Sequence, residues 1–183
     1  MPGLAVNVAV IDQNKILLTK REDFETWILP SGGVEDRESF AQAAIRETKE
    51  ETGLDVELTG LVGVYSRLGN MAPVHAVLFS ARLIGGDIKC QEGETIAVEW
   101  FDFDKLPEPL SAGQRKRIED AIVGKRGVAV LQEIDIPNSS NELTRKDLLK
   151  FRDESELPRH EFYVKWMKQA VLKKITEVDS TRK

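Results

Sequence analysis

Three glutamates, Glu47, Glu50 and Glu51, stand at i, i+3 and i+4 in the run FAQAAIRETKEET. The run holds good helix formers and no proline, so the spacing puts these side chains on one face of a helix. Like charges so placed cost roughly 0.2–0.5 kcal/mol per pair in an isolated helix, and a positive partner relieves them. A hard divalent cation is one such partner. Carboxylate oxygens select Mg²⁺, Ca²⁺ or Mn²⁺ over softer metals, and Mg²⁺ combines one or two carboxylates with waters and substrate phosphates. A solvated helix face also looks like this, so the triad alone leaves both readings open. Other metal chemistry is scarce: Cys90 is the single cysteine, and His75 and His160 are the two histidines. Any metal here is therefore held by oxygen, and an intrachain disulfide is excluded.

The surrounding segment, Gly32 to Leu54, reads GGVEDRESFAQAAIRETKEETGL. Gly32, Glu38, Arg46, Glu47, Glu50, Glu51, Gly53 and Leu54 fit the spacing G-x5-E-x7-R-E-U-x-E-E-x-G-U, where U is aliphatic, eight fixed choices over 23 residues. This resembles the signature of the Nudix hydrolases, and Thr48 is the departure, standing where that family usually has an aliphatic residue. WILPSGG before the box and EWF followed by LP after it also resemble the family's flanks, extending the similarity over about residues 3 to 123.

The resemblance implies an α/β chain with the Nudix fold: an α/β/α sandwich around a mixed β-sheet, with the box as a catalytic loop-helix-loop. It implies a metal-dependent pyrophosphohydrolase, using Mg²⁺ or Mn²⁺, that cleaves a nucleoside diphosphate linked to another moiety, ADP-ribose-like or related, by water attack at phosphorus. Cations bridge an acidic site and an anionic substrate, stabilise charge on the transferring phosphoryl group and make hydroxide available. By the same resemblance Glu47, Glu50 and Glu51 are metal ligands, with the backbone carbonyl of Ser31 as a further one. Glu47 or a late-loop carboxylate is the general base, and Glu94 is the late-loop candidate with Glu92 behind it. Glu38 and Arg46 tie the loop to the helix, and Gly32 and Gly33 let the backbone approach closely.

Two readings stand for the remaining candidates. Arg21, at the end of a strand, is either a bidentate phosphate ligand or a surface arginine. Trp27, with Phe24, Tyr65 and Arg67, either stacks on the substrate or anchors the core. His75 reads as a satisfied histidine in an alternating strand, and Cys90 has no evident reactive neighbour.

Several elements must position these groups. GLAVNVAVI, DQNK and KILLTK read as a hairpin. Ser39 and Gln42 form a capping box before the glutamate helix, and Gly53 sits where a C′ glycine belongs. LDVELTGLVGVY, VHAVLFSARL and TIAVEWF read as strands, and GQRKRIEDAIVG, with Ser111 as cap, as a closing helix. A Nudix domain thus spans residues 1–124. Residues 125–183 form a mostly helical extension that caps the domain or forms a dimer: a strand-like GVAVLQEI, a polar NSSNE turn, and amphipathic LTRKDLLKF and EFYVKWMKQAVLKKI.

At 183 residues, 41% hydrophobic and 31% charged, the chain has the composition of a globular protein and excludes fibre or pervasive disorder. No run approaches the roughly 18 apolar residues of a membrane span, and the N-terminus lacks signal-peptide character, so cytoplasmic residence is expected. Residues 1–124 carry 13 basic and 21 acidic side chains, net −8, whereas the remainder carries net +3. An acidic body argues against general nucleic-acid binding. The expected partners are a small nucleoside diphosphate derivative and, by family analogy, a second copy in a homodimer. Two other readings compete: a nucleoside triphosphate pyrophosphatase of the nucleotide-sanitising type, and a Nudix-fold module that senses a nucleotide without turnover.

Overall fold

In the computed structural model, which describes residues 2–137 and 143–180, the opening hairpin is present. β1 (Gly3–Asp12) and β2 (Lys15–Arg21) pair at the turn end, Ile11 with Ile16 and Asp12 with Lys15. β1 also runs parallel to the later strand Val74–Gly86, with Gly3 opposite Val74 and Val10 opposite Ala81. The order continues with β3 (Trp27–Ile28), β4 (Ser31–Gly33), α1 (Phe40–Thr52), β5 (Leu54–Gly69), β6 (Val74–Gly86), β7 (Thr95–Asp102), α2 (Gln114–Ile122), β8 (Val128–Asp135), α3 (Arg145–Asp153), α4 (Arg159–Met167) and β9 (Val171–Asp179). The sheet is mixed, in the order β3-β2-β1-β6-β5-β8-β9, with β4 paired to β1 and β7 to β2.

Alternation along β1 builds two cores. Val6, Val8 and Val10 pack with Ala43 and Ala44 of α1, while Ala9 joins Tyr65, Leu78, Ile118 and Ala121 on the α2 side. Helices on opposite faces of one mixed sheet give the expected α/β/α sandwich. The glutamate helix forms as its caps dictate. Ser39 and Gln42 make the reciprocal capping box, and Gly53, at φ 75°, closes the other end by donating its N–H to the Lys49 carbonyl at 2.9 Å. Thr48 is fully buried, and its hydroxyl donates to the Ala44 carbonyl at 2.8 Å, so the polar departure from the family pattern is satisfied within the helix. The closing helix is capped differently from expectation: Gly113 holds the N-cap position, and Ser111 instead bonds the Thr26 hydroxyl at 2.5 Å.

The division at Gly124 falls between elements of one sheet, because β8, just beyond it, lies parallel to β5 with Gly63 opposite Val128. Beyond β8, the extension carries the expected helices and one more strand. α3 begins at a Thr144–Asp147 capping box within LTRKDLLKF, and α4 covers the first half of the second amphipathic stretch. Its end, VLKKI, is not helix but opens β9, which runs on through TEVD, because β8 offers it a hydrogen-bonding edge from Val128 to Asp135. The helices close a third core of Phe24, Met71, Ile134, Leu148 and Phe162. The NSSNE turn lies outside the described residues. Among the described residues no helix is long and apolar enough to cross a membrane.

Candidate active site

Arg46 organises the box. Its Nε and Nη2 donate to the two carboxylate oxygens of Glu38 at 2.8 and 2.9 Å. Nη1 donates to Glu47 Oε1 at 2.8 Å and Glu50 Oε2 at 3.0 Å, and Nη2 also reaches the Gly33 carbonyl at 3.0 Å. The loop before the helix is thereby tied to the helix, as the Glu38–Arg46 pairing implied. The close approach needs a glycine: a Cβ on Gly32 would stand 2.0 Å from Glu47 Cδ. Glu51 is held from the other side, accepting the Ser31 N–H at 2.9 Å.

Burial dominates the electrostatics. It pushes the Glu51 carboxyl up to about 8, with neighbouring Glu47 and Glu94 adding to the rise and the Ser31 N–H and Arg21 opposing it. Glu47 is also raised, by burial first, against the pull of Arg46. Glu38 moves the other way, to about 2, chiefly through its hydrogen bonds from Arg46. The consequences for folding are opposite in sign. The Glu38 contribution is present above its unfolded value of 4.5 and is lost as pH falls toward 2. The Glu51 contribution is complete below 4.5 and is lost as pH rises through 8. The melting temperature of metal-free protein should therefore fall between pH 5 and 8 by more than that of a Glu51→Gln variant, whose amide oxygen keeps the Ser31 bond. Parallel melting curves for the two proteins across that range would refute the burial argument.

The glutamates line a 630 Å³ cleft. Ser31, Gly32, Gly33, Glu47, Glu50, Glu51 and Glu94 all face it, and so does Arg21. Glu94 is brought there by its loop, whose carbonyl accepts the Glu22 N–H at 2.8 Å; Glu92 is not in the lining. Trp27 is not in the lining either. It is 7% exposed and packs edge-on against Phe101 with ring centroids 4.8 Å apart, which makes it a core anchor. Tyr65 is likewise buried, its hydroxyl donating to Asp120 at 2.9 Å. His75 is satisfied by the Ser66 hydroxyl at 2.9 Å, and Cys90 is a free, exposed thiol.

Three further residues of this cleft escape sequence reasoning. Arg145 and Arg152 of α3 and Arg159 of α4 also line it. Arg145 donates to Asp23 Oδ2 at 2.9 Å, Arg152 to the Asp23 carbonyl at 2.6 Å and Arg159 to the Glu22 carbonyl at 2.8 Å. Asp23 also pairs with Arg21, whose guanidinium is raised: burial lowers it, but Asp23, Glu51 and Glu94 more than compensate. A basic extension docked on an acidic domain was a faint signal, visible only as the charge contrast on either side of Gly124.

A G-x5-E-x7-R-E-x2-E-E loop and helix thus line an acidic cleft inside an α/β/α sandwich. The family model of the NUDIX domain matches residues 1–121. The chain belongs to the Nudix family of hydrolases. It is 37% identical over 131 residues to an ADP-ribose pyrophosphatase of Methanocaldococcus jannaschii, covering 69% of this chain and 76% of the relative. A Bacillus subtilis protein provisionally named an 8-oxo-dGTP diphosphatase is 33% identical over 145 residues, covering 79% of this chain and 93% of the relative. Among solved structures, an ADP-ribose pyrophosphatase from Streptococcus suis has a TM-score of 0.59 at 28% identity, covering 79% of this chain and 98% of that one. These Nudix relatives act on phosphoric anhydride bonds of nucleotides by their names, and the box glutamates of this chain occupy the matched region.

Proposed function

We propose that this Nudix protein hydrolyses the diphosphate bond of a nucleoside diphosphate derivative, ADP-ribose-like or related, with the help of Mg²⁺ or Mn²⁺. The observation that carries the reading is one cleft lined by both charges: Glu47, Glu50, Glu51 and Glu94 together with Arg21, Arg145, Arg152 and Arg159. Arginines alone suit any anion. Carboxylates lining the same cleft suit a polyphosphate that arrives with divalent cations.

The donor set fits such an ion, being all oxygen, with Glu51 buried and away from arginine hydrogen bonds. As placed, no three acidic, histidine or cysteine side chains among the described residues form a group that could hold a metal ion, and Arg46 Nη1 takes an oxygen each of Glu47 and Glu50. Glu47, Glu50 and Glu51, with the Ser31 carbonyl, are the groups that would hold the metal. Bound there, a divalent ion supplies charge stabilisation at phosphorus and lowers the pKa of water. The protein's own part is positioning. Arg46 fixes the glutamates, Arg21 and the three extension arginines orient the phosphates, and Glu47 or Glu94 takes the proton from the attacking water. Residence in the cytoplasm and assembly as a homodimer belong to the same proposal. β9, an edge strand whose Val171, Leu172, Ile175 and Val178 are exposed, is the element that would meet a second copy.

The test is a substrate panel with Mg²⁺ or Mn²⁺: ADP-ribose, nucleotide sugars, dinucleoside polyphosphates, NADH and nucleoside triphosphates, with products resolved by chromatography. Release of a nucleoside monophosphate from a diphosphate derivative is the expected result. Pyrophosphate release from triphosphates would instead establish the sanitising reading, and nucleotide binding without turnover would establish a sensor.

A further inference from the structure

A second cavity, of 420 Å³, opens on the α2 side of the sheet and shares Arg21, Asp23, Ser31, Gly32 and Arg145 with the glutamate cleft. Strand alternation places Asn7 of β1 and Arg67 of β5 on this face, beside Arg117 of α2. Phe24, Met71, Leu148 and Tyr163 give it an apolar body suited to a nucleoside.

The charge inside this cavity is unbalanced. Arg117 is 7% exposed and, among the described residues, its side chain makes one hydrogen bond, a long one of 3.4 Å from Nη2 to Gln132 Oε1, with its guanidinium 5.5 Å from the centre of the Tyr65 ring. Among the same residues the Arg67 side chain also makes one, from Nη2 to the Ala72 carbonyl at 2.9 Å. The Nε–H of each is buried without an acceptor among the described residues, and the side-chain oxygen of Asn7, itself 3% exposed, is buried there without a donor. Neighbouring carboxylates are committed elsewhere. Asp23 is bound by Arg21 and Arg145, and Asp120 by the Tyr65 hydroxyl and Lys116. Burial and then the charge of Arg67 depress Arg117 to about 10, as expected of two cations with no carboxylate paired to either among the described residues. Unpaired buried charge is costly, and a fold that keeps it at a cavity wall is characteristic of a site whose ligand brings the missing charge.

We propose that this inner cavity takes a phosphate monoester on the nucleoside end of the substrate, separate from the diphosphate held in the glutamate cleft. One such group carries about −1.5 to −2 charges near neutral pH, which matches two guanidiniums, and it offers three acceptor oxygens to their forked donors. A carboxylate would leave one cation unbalanced. The substrate class is thereby narrowed to nucleoside diphosphate derivatives phosphorylated at a second position. This inference rests on the reading of the first cleft as the diphosphate site.

Calorimetric titration with AMP, adenosine 2′,5′-bisphosphate, adenosine 3′,5′-bisphosphate and inorganic phosphate tests it without requiring turnover. At least one bisphosphate should bind about tenfold or more tightly than AMP, the equivalent of one charge-assisted hydrogen bond. Arg67→Gln and Arg117→Met should each reduce that ratio to about threefold or less. Arg117→Met should also melt about 2–4 °C higher than wild type, since it removes an unpaired buried charge without opening a cavity. Equal affinity for AMP and both bisphosphates would overturn the inference even in an active hydrolase, and so would a lower melting temperature for Arg117→Met. Inorganic phosphate that binds while the bisphosphates gain nothing over AMP would overturn the assignment to a substrate group. A protein inactive on every diphosphate but selective for a bisphosphate would overturn the proposed reaction and leave the cavity's specificity standing.

Discussion

A Glu50→Gln protein is expected to fold as the wild type does and to turn substrate over about 10²–10³-fold more slowly, the loss typical of removing one preorganised electrostatic group from a reaction centre. The fold should survive because the Glu50 side chain is 46% exposed and its ion pair with Arg46 is a rim contact. Such pairs contribute about 0–1 kcal/mol. Arg46 meanwhile keeps its bonds to Glu38, Glu47 and the Gly33 carbonyl. What the substitution removes is one of the negative charges facing the substrate. The measurement is kcat with the best substrate of the panel, over a titration of Mg²⁺, together with the melting temperature. A variant with wild-type kcat and wild-type Mg²⁺ dependence would show that Glu50 takes no part in holding the ion.

Removal of residues 125–183 is expected to abolish cooperative folding. β8 lies within that segment, and its Val128 and Val130 belong to the same core as Tyr65, Leu78 and Ile118. Its Gln132 is 1% exposed and bonds the Gly113 carbonyl at the start of α2. Truncation would strip one edge of β5 of its hydrogen bonds, expose the α2 core and dissolve the third core around Phe24 and Ile134. Several buried apolar side chains at about 1.5–3 kcal/mol each exceed the 5–15 kcal/mol margin of an ordinary domain. Circular dichroism and urea titration of the two lengths decide the point: a sigmoidal transition for residues 1–124 with the midpoint of the full chain would contradict it.

The parts of the site that were legible in the sequence are those fixed by local spacing. The helix over residues 40–52, its caps at Ser39 and Gly53, the tie from Glu38 to Arg46 and the need for glycine at position 32 all lie within 23 residues. Nothing in them depends on how distant segments meet. Arg145, Arg152 and Arg159 were illegible for the opposite reason. They enter the cleft because α3 and α4 dock on Phe24, more than a hundred residues earlier, and their own spacing carries no chemical pattern. Trp27 was ambiguous because an aromatic residue beside Leu-Pro suits a stacking wall as well as a core, and only its contact with Phe101 separates the two. VLKKITEVD misled for a physical reason as well: an exposed edge strand has no buried face to impose a period of two, so the stretch kept the look of a helix until β8 supplied its partner.

Arg46 gives the box a property that metal-assembled folds lack. In a small zinc domain the ion is the scaffold, and its departure is an unfolding event. Here the positive charge that gathers Glu38, Glu47 and Glu50 is covalently part of the chain. The loop and helix are registered with one another by the chain's own charge, so the architecture does not rest on a divalent ion. In the reaction proposed above, an ion would then meet carboxylates already tied to Arg46 and would have to share them with its guanidinium.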